Sequence, residues 1–104
     1  MPISPLELAT HGTEAVVTVH GDLDIAYSVD VLAVVSAAFS QRSLTALTID
    51  LADVEFCDSC GLGALIRVRN LCRDHAVDFR LANVQPRVVK VFTLTGLTDV
   101  FTLT

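Results

Sequence analysis

The sequence has few positive charges and no long uninterrupted apolar run. Its 104 residues include 7 lysines and arginines against 12 aspartates and glutamates, which gives a net charge of −5. Binding to nucleic-acid phosphates needs clustered lysine and arginine, so this balance argues against a nucleic-acid partner. The longest apolar run, Val29 to Phe39, is interrupted by Asp30 and Ser36. It is too short to span a bilayer, and we expect no membrane partner.

Cysteine is also scarce, and no N-terminal stretch has the basic and apolar regions of a signal peptide. The three cysteines are an odd number and lie close together in the sequence. This pattern favours reduced thiols in the cytoplasm over a disulfide framework. There is no repeat, low-complexity stretch or linker to divide the chain. We therefore expect one cytoplasmic globular domain over residues 1–104.

Short β-branched stretches alternate along the chain with longer stretches of helical periodicity. We predict strands over Leu6–Thr10, Glu14–His20, Leu44–Leu51, Val77–Ala82 and Val100–Phe101. We predict helices over about 26–40, over about 61–75, and from Pro86 to an end at Gly96. The order β-β-α-β-α-β-α-β predicts an α/β fold. Its mixed sheet would begin with an antiparallel hairpin and carry its helices mainly on one face.

Apolar spacing also predicts which helix faces are buried. Asp24 is placed to cap the first helix. Spacings of three and four along that helix predict a buried stripe of Ile25, Val29, Leu32, Val35 and Phe39. In the second helix the inward side is expected to consist of Gly61, Leu65, Val68 and Cys72.

The stretch VEFCDSCGLGAL, residues 54–65, holds the residues with the most chemical potential. A nucleophilic serine at Ser59 would need a general base and an orienting group. Ser59 lacks the G-x-S-x-G elbow. His11, His20 and His75 have no distinctive spacing to it and are interpreted as surface or strand-end histidines. We therefore predict no catalytic residue.

Cys57 and Cys60 have the spacing of a thiol redox motif at a helix start, where the pKa of a cysteine is lowered. A structural zinc site would need four ligands, and no second C-x-x-C or H-x-x-x-H pair is present. Cys57 and Cys72 are more simply explained as core residues. Gly61 and Gly63 fall short of a phosphate-binding loop, because no Lys-Ser/Thr follows them. We expect no metal and no cofactor.

Ser59 has two further interpretations. It lies in a predicted strand-to-helix turn, a position that exposes a hydroxyl. A phosphate there would meet unpaired N–H groups and the positive end of the helix dipole, so Ser59 is a candidate phosphorylation site. Alternatively, Asp58 or Ser59 only caps the helix. Chemistry alone does not separate these two interpretations.

Three motifs in the right order resemble the STAS-domain anti-sigma-factor antagonists of bacteria. The family signature Asp-Ser-x-Gly-Leu is matched by DSCGL at residues 58–62, and Gly-x-Leu-Asp by GDLD at 21–24. The late Ser/Thr-Gly-Leu is matched by TGL at 95–97, so the resemblance covers nearly the whole chain. Two features depart from the family. Cys60 stands where serine or threonine is common, and little sequence remains after Phe101 for the C-terminal helix that the family often carries.

The resemblance implies a binding module and not an enzyme. Family members bind an anti-sigma factor that is itself a serine kinase, and so release a sigma factor. The kinase phosphorylates the motif serine, here Ser59, the complex dissociates, and a separate phosphatase reverses the change. The implied partner-binding residues are Asp22, Asp24, Asp58, Ser59, Cys60, Gly61, Leu62 and Ile66.

Several alternatives stay open on the sequence alone. Leu62 and Ile66 either form the apolar centre of a partner surface or simply widen the buried stripe of their helix. The chain as a whole could instead be a STAS scaffold subunit of a larger signalling or transport assembly. A thiol redox protein using Cys57 and Cys60 is a further possibility.

Overall fold

The computed structural model describes residues 6–23, 25–41, 43–97 and 100–101, and the side chains of these except for residues 25–28. Its elements are β1 (Leu6–His11), β2 (Glu14–His20), α1 (Ile25–Gln41), β3 (Ala46–Asp53), α2 (Ser59–Asp74), β4 (Asp78–Ala82) and α3 (Pro86–Leu94). The strands form one sheet in the order β1-β2-β3-β4. Strand β1 is antiparallel to β2, and the other two pairings are parallel. The predicted mixed sheet with an opening hairpin is confirmed.

One face of this sheet is buried and the other is open. Alternate residues of β2 and β3 are buried, and Val17 pairs with Ile49 on that face. They belong to one core cluster together with buried residues of all three helices. The residues between them, such as Thr18 and Asp50, are only partly buried. The helices therefore cover a single face, as the alternation of apolar residues predicts.

The buried stripe of helix α1 matches the predicted one only in part, at Val35. Val31, Val35 and Ala38 are buried, whereas Val29 is 67% exposed. Leu32 and Phe39 are partly buried, and the side chain of Ile25 lies outside the described residues. The helix is apolar on most of its circumference, so its periodicity is compatible with more than one stripe. Packing against α2 selects the one that is buried.

The predicted last strand, Val100–Phe101, is wrong. Val100 lies in a turn, and its N–H donates to the carbonyl of Leu97 at 3.0 Å. Phe101 lies in a bend. The Phe101 ring packs against the rings of Phe79 and Phe92, with centroids 6.3 and 5.2 Å away. These two apolar residues cover the core without a place in the sheet. The other element boundaries lie within one or two residues of the prediction.

A backbone contact joins the segments that follow β2 and β3. Leu23 and Cys57 form a short parallel bridge. The N–H of Leu23 donates to the carbonyl of Phe56 at 2.9 Å, and the N–H of Asp58 donates to the carbonyl of Leu23 at 3.2 Å. Gly61, in the first turn of α2, lies so close that a Cβ there would overlap the Leu23 carbonyl oxygen. The start of α2 therefore rests directly on the backbone of the segment 21–23.

We predict that Gly61→Ala destabilises the fold by about 1–3 kcal/mol, because the added methyl group forces apart two backbone segments. Gly63→Ala is the matched control in the same helix, since nothing lies within 4 Å of a Cβ at Gly63. It should be neutral or stabilising by up to about 1 kcal/mol, the helix preference of alanine over glycine. Urea unfolding of the three proteins measures both effects. Equal stability of the two variants would contradict the close approach at Gly61.

Candidate functional site

The first turn of α2 is capped by Asp58. This residue has extended backbone angles, φ −89° and ψ −177°, and its Oδ1 accepts a hydrogen bond from the N–H of Gly61 at 2.8 Å. Ser59 is therefore the first helical residue, and it is exposed. Its hydroxyl has no hydrogen-bond partner in the part of the chain that the structure describes. Capping is the role of Asp58, and the Ser59 hydroxyl is accessible to a modifying enzyme.

Ser59 opens onto a cleft between α1 and α2. Helix α1 contributes Val29 and Leu32 to this cleft. Helix α2 contributes Ser59, Cys60, Gly63, Ala64 and Arg67. The walls are partly apolar and the helix start adds polar groups, a mixture typical of protein-binding surfaces.

The bridge between Leu23 and Cys57 brings two predicted motifs together. It places residues 21–23 beside residues 56–58, so Asp22 and Asp58 lie on adjoining backbone segments. Asp22 is exposed and lines a second cleft with Phe56, which is 54% exposed, and Arg87. Asp24, predicted as a helix cap and a partner contact, lies outside the described residues.

The predicted apolar partner contacts on α2 are largely internal. Leu62 is only 7% exposed and belongs to the core, and Ile66 is partly buried against it. The interpretation of Leu62 as an exposed partner contact is therefore wrong, and the wider buried stripe is correct. Gly61, Leu65 and Val68 are buried as predicted. The sequence analysis did not predict that Arg67 lines the same cleft as Ser59. The signal was its spacing, since Ser59, Gly63 and Arg67 follow one another at intervals of four residues along the helix.

The cysteines do not form a matched redox pair. Cys57 is 3% exposed, and burial, with the nearby charge of Asp58, raises its pKa to about 12. Burial also raises the pKa of Cys72 to about 12. Cys60 is exposed, and all three thiols are free. Because the thiolate is the reactive form, Cys57 is a poor nucleophile at neutral pH. The expected core position of Cys57 is confirmed.

Within residues 6–23, 25–41, 43–97 and 100–101, no group of three or more histidine, cysteine and acidic side chains is arranged to hold a metal ion. Over the same part of the chain, no helix has the length and apolar character needed to cross a membrane.

His20 ends β2 with its ring between two carboxylates. Nδ1 lies 2.7 Å from Oδ2 of Asp53, and Nε2 lies 3.4 Å from Oε1 of Glu7. Asp53 ends β3, so this contact joins the two strands just before the segments that carry Asp22 and Ser59. The hydrogen bond to Asp53 raises the pKa of His20 above its usual 6.5, against the opposing effect of desolvation, and Glu7 adds to the increase.

The chain is similar to known proteins in both sequence and fold. The family model described as STAS domain matches residues 5–104. An anti-sigma-B factor antagonist of Staphylococcus epidermidis is 30% identical over 94 residues, which cover 90% of this chain and 86% of that protein. An anti-sigma-B factor antagonist of Bacillus subtilis is 30% identical over 84 residues, which cover 81% of this chain and 75% of that protein. Among solved structures, the unphosphorylated anti-sigma factor antagonist SpoIIAA is 25% identical with a TM-score of 0.81. The match covers 95% of this chain and 87% of that one. The phosphorylated form of SpoIIAA, described as a Bacillus cell fate determinant, has a TM-score of 0.74 at 24% identity. The match covers 95% of this chain and 90% of that one.

Asp58 and Ser59 should contribute unequally to the stability of the fold. Asp58→Ala should cost about 1 kcal/mol, because the N–H of Gly61 loses its acceptor, whereas Asp58→Asn retains an acceptor and should cost less. Ser59→Ala should change stability by no more than about 0.5 kcal/mol, since its hydroxyl holds no helix N–H. Urea unfolding of these variants checks the assignment. A larger loss for Ser59→Ala than for Asp58→Ala would reverse the two roles.

Protonated His20 should stabilise the fold in a pH-dependent way. The pKa of His20 is higher in the folded chain than in the unfolded chain, where it is about 6.5. The contribution of protonated His20 to the free energy of unfolding is therefore fully present at pH values below about 6.5. The contribution is lost as the pH rises through the higher folded value. The stability difference between wild type and His20→Gln should therefore shrink from pH 6 to pH 9. His11→Gln, at an exposed histidine, is the control. A difference that grows with pH would show that the folded state favours neutral His20.

Proposed function

The chain belongs to the STAS domain family, and we propose that it acts as an anti-sigma-factor antagonist. In this proposal it binds an anti-sigma factor with serine kinase activity and so releases a sigma factor, in the bacterial cytoplasm. Two relatives of 30% identity, each covered over at least 75% of its length, are named anti-sigma-B factor antagonists. The observation that carries the proposal is the exposed Ser59 hydroxyl, which follows the cap Asp58 within the family signature.

The proposed switch is phosphorylation of Ser59. A phosphate adds about −1.5 to −2 charges at neutral pH. The first turn of α2 can accept this charge, because it has unpaired N–H groups and the positive end of the helix dipole. A partner surface cannot accept it as easily, since binding would strip water from a dianion beside Asp58 and the segment of Asp22. A change of about 1.4 kcal/mol alters affinity tenfold, so a modest penalty is enough to separate the complex.

The proposed partner surface comprises Asp22, Asp58, Ser59 and Cys60, with the adjoining cleft between α1 and α2. Gly61 contributes by letting α2 lie close to Leu23, and the exposed part of Ile66 lies further along the helix. Asp24 follows Leu23 in the sequence and is proposed to join this surface. Leu62 is left out because it is buried. The relative SpoIIAA, which occurs in phosphorylated and unphosphorylated forms, supports a phosphate switch on this fold.

This proposal gives the chain no catalytic role. The kinase is the bound anti-sigma factor, and a separate phosphatase regenerates the active form. Neither nucleic acid nor a membrane is a partner. The proposal requires no cofactor or metal, and the raised pKa of Cys57 argues against thiol chemistry as the activity.

We predict that Ser59→Ala retains affinity for the anti-sigma factor and resists phosphorylation, because it lacks the hydroxyl but keeps the surface neutral. Ser59→Asp should fold normally, since a carboxylate suits a helix N-terminus, and should bind at least about tenfold more weakly. The matched control is Ser43→Asp, which adds the same charge at an exposed position beside His75, at the far end of α2.

The measurement begins with capture of the partner from the native bacterium, with and without ADP, and its identification by mass spectrometry. Calorimetric titration of the four proteins against that partner then gives the affinities. Equal affinity of wild type and Ser59→Asp, or phosphate on another residue after incubation with the kinase and ATP, would put the switch elsewhere. Recovery of an assembly without a kinase-like anti-sigma factor would favour a scaffold role.

A further inference from the structure

Helix α2 places Ser59, Gly63 and Arg67 in a row. They are spaced by four residues, so they lie on one side of the helix, and all three line the cleft against α1. Gly63, in the middle of the row, has no side chain, and nothing lies within 4 Å of the position that its Cβ would take. At Gly63, midway between Ser59 and Arg67, no side chain therefore covers the helix surface.

Arg67 has an available positive charge. It is exposed, and among the described residues it has no ion-pair partner. Arg73 and Arg80, in contrast, lie 3.9 and 2.9 Å from carboxylates of Asp74 and Asp78. In a chain with a net charge of −5, an unpaired arginine in the same cleft as the modifiable serine is a notable placement.

We propose that Arg67 is the intramolecular counter-ion of a phosphate on Ser59, an inference that rests on the proposed phosphorylation of that serine. Eight residues of helix separate the two Cα atoms by about 12 Å along the axis. Side chains on a helix lean toward its N-terminus, so the long side chain of Arg67 extends along the helix in the direction of Ser59 and has to span most of this distance. The planar guanidinium can donate two parallel hydrogen bonds to phosphate oxygens.

This ion pair would change the shape of the cleft as well as its charge. The arginine side chain would lie across Gly63, where the cleft is otherwise open. In the unphosphorylated chain this part of the cleft would remain accessible to a partner. Phosphorylation would thus oppose binding in two ways, by adding negative charge at Ser59 and by closing the cleft next to it.

The test uses phosphoserine incorporated at position 59 during translation, which makes it independent of any kinase. Phosphorus NMR titration gives the second pKa of the phosphate, which is about 6 for an isolated phosphoserine. Four phosphorylated chains are compared: the natural sequence, Arg67→Gln, Gly63→Leu, and Arg73→Gln. Arg73→Gln removes the same charge from the other end of the same helix. Circular dichroism and melting temperatures confirm that each chain is folded.

The phosphate pKa should be lower in the natural sequence than in Arg67→Gln by about 0.5 unit or more, because a nearby cation favours the dianion. Gly63→Leu keeps both charges and places a side chain between them, so it should also raise the phosphate pKa. Arg73→Gln should leave it unchanged. The difference between natural sequence and Arg67→Gln should shrink in 1 M salt, since screening acts on exposed charges. Asp58 raises the phosphate pKa in all four chains and cancels in the comparison.

An unchanged phosphate pKa in Arg67→Gln, or an equal change in Arg73→Gln, would overturn the inference. Weaker partner binding by unphosphorylated Arg67→Gln, with an unchanged phosphate pKa, would assign Arg67 to the partner instead. These results do not depend on the proposed function, because the phosphate is installed without the kinase. Failure of a captured kinase to modify Ser59 would contradict the proposed function and leave the measured ion pair intact.

Discussion

The candidate site depends on the contact between the backbone of Leu23 and the first turn of α2. The Leu23 carbonyl accepts a hydrogen bond from the N–H of Asp58, and its N–H donates to the carbonyl of Phe56. This pairing holds the segment after β2 beside the segment after β3. Gly61 makes the approach possible, because any larger residue would meet the same carbonyl oxygen. A buried backbone group needs a partner, so this contact fixes the start of α2 as well as satisfying both segments.

The electrostatics of the site follow from that arrangement. Asp58 uses one carboxylate oxygen to satisfy the N–H of Gly61, and the neighbouring Ser59 hydroxyl makes no hydrogen bond within the described ranges. A side chain that holds no such contact can be altered with little effect on the fold. The helix dipole would offset the negative charge of a phosphate on Ser59, and the surface around it would become more negative. The same helix turn can therefore tolerate a phosphate that an interface would reject.

A side-chain contact also joins the ends of the strands that precede the site. His20 and Asp53 end the two parallel strands whose following segments carry the site, and their side chains are 2.7 Å apart. Glu7 on β1 faces the other ring nitrogen, so three strands meet at one imidazole. The contact is exposed and its energetic weight is small, as for most surface ion pairs. Its position links the geometry of the strand ends to the protonation of one histidine.

Local patterns in the sequence were enough to predict β1 to β4, the three helices, the mixed sheet and the exposed position of Ser59 at a helix start. The alternation of apolar and polar residues in β2 and β3 reflects a sheet buried on one face. Asp58, directly before Ser59, marks the capped start of α2. Only the tertiary structure decided which stripe of α1 is buried, because an almost wholly apolar helix does not specify one. The burial of Leu62 and the turn at Phe101 likewise depend on neighbours distant in sequence. So does the cleft that Ser59 shares with Arg67, since one of its walls comes from α1. Periodicity describes one segment at a time, whereas burial and clefts are formed between segments.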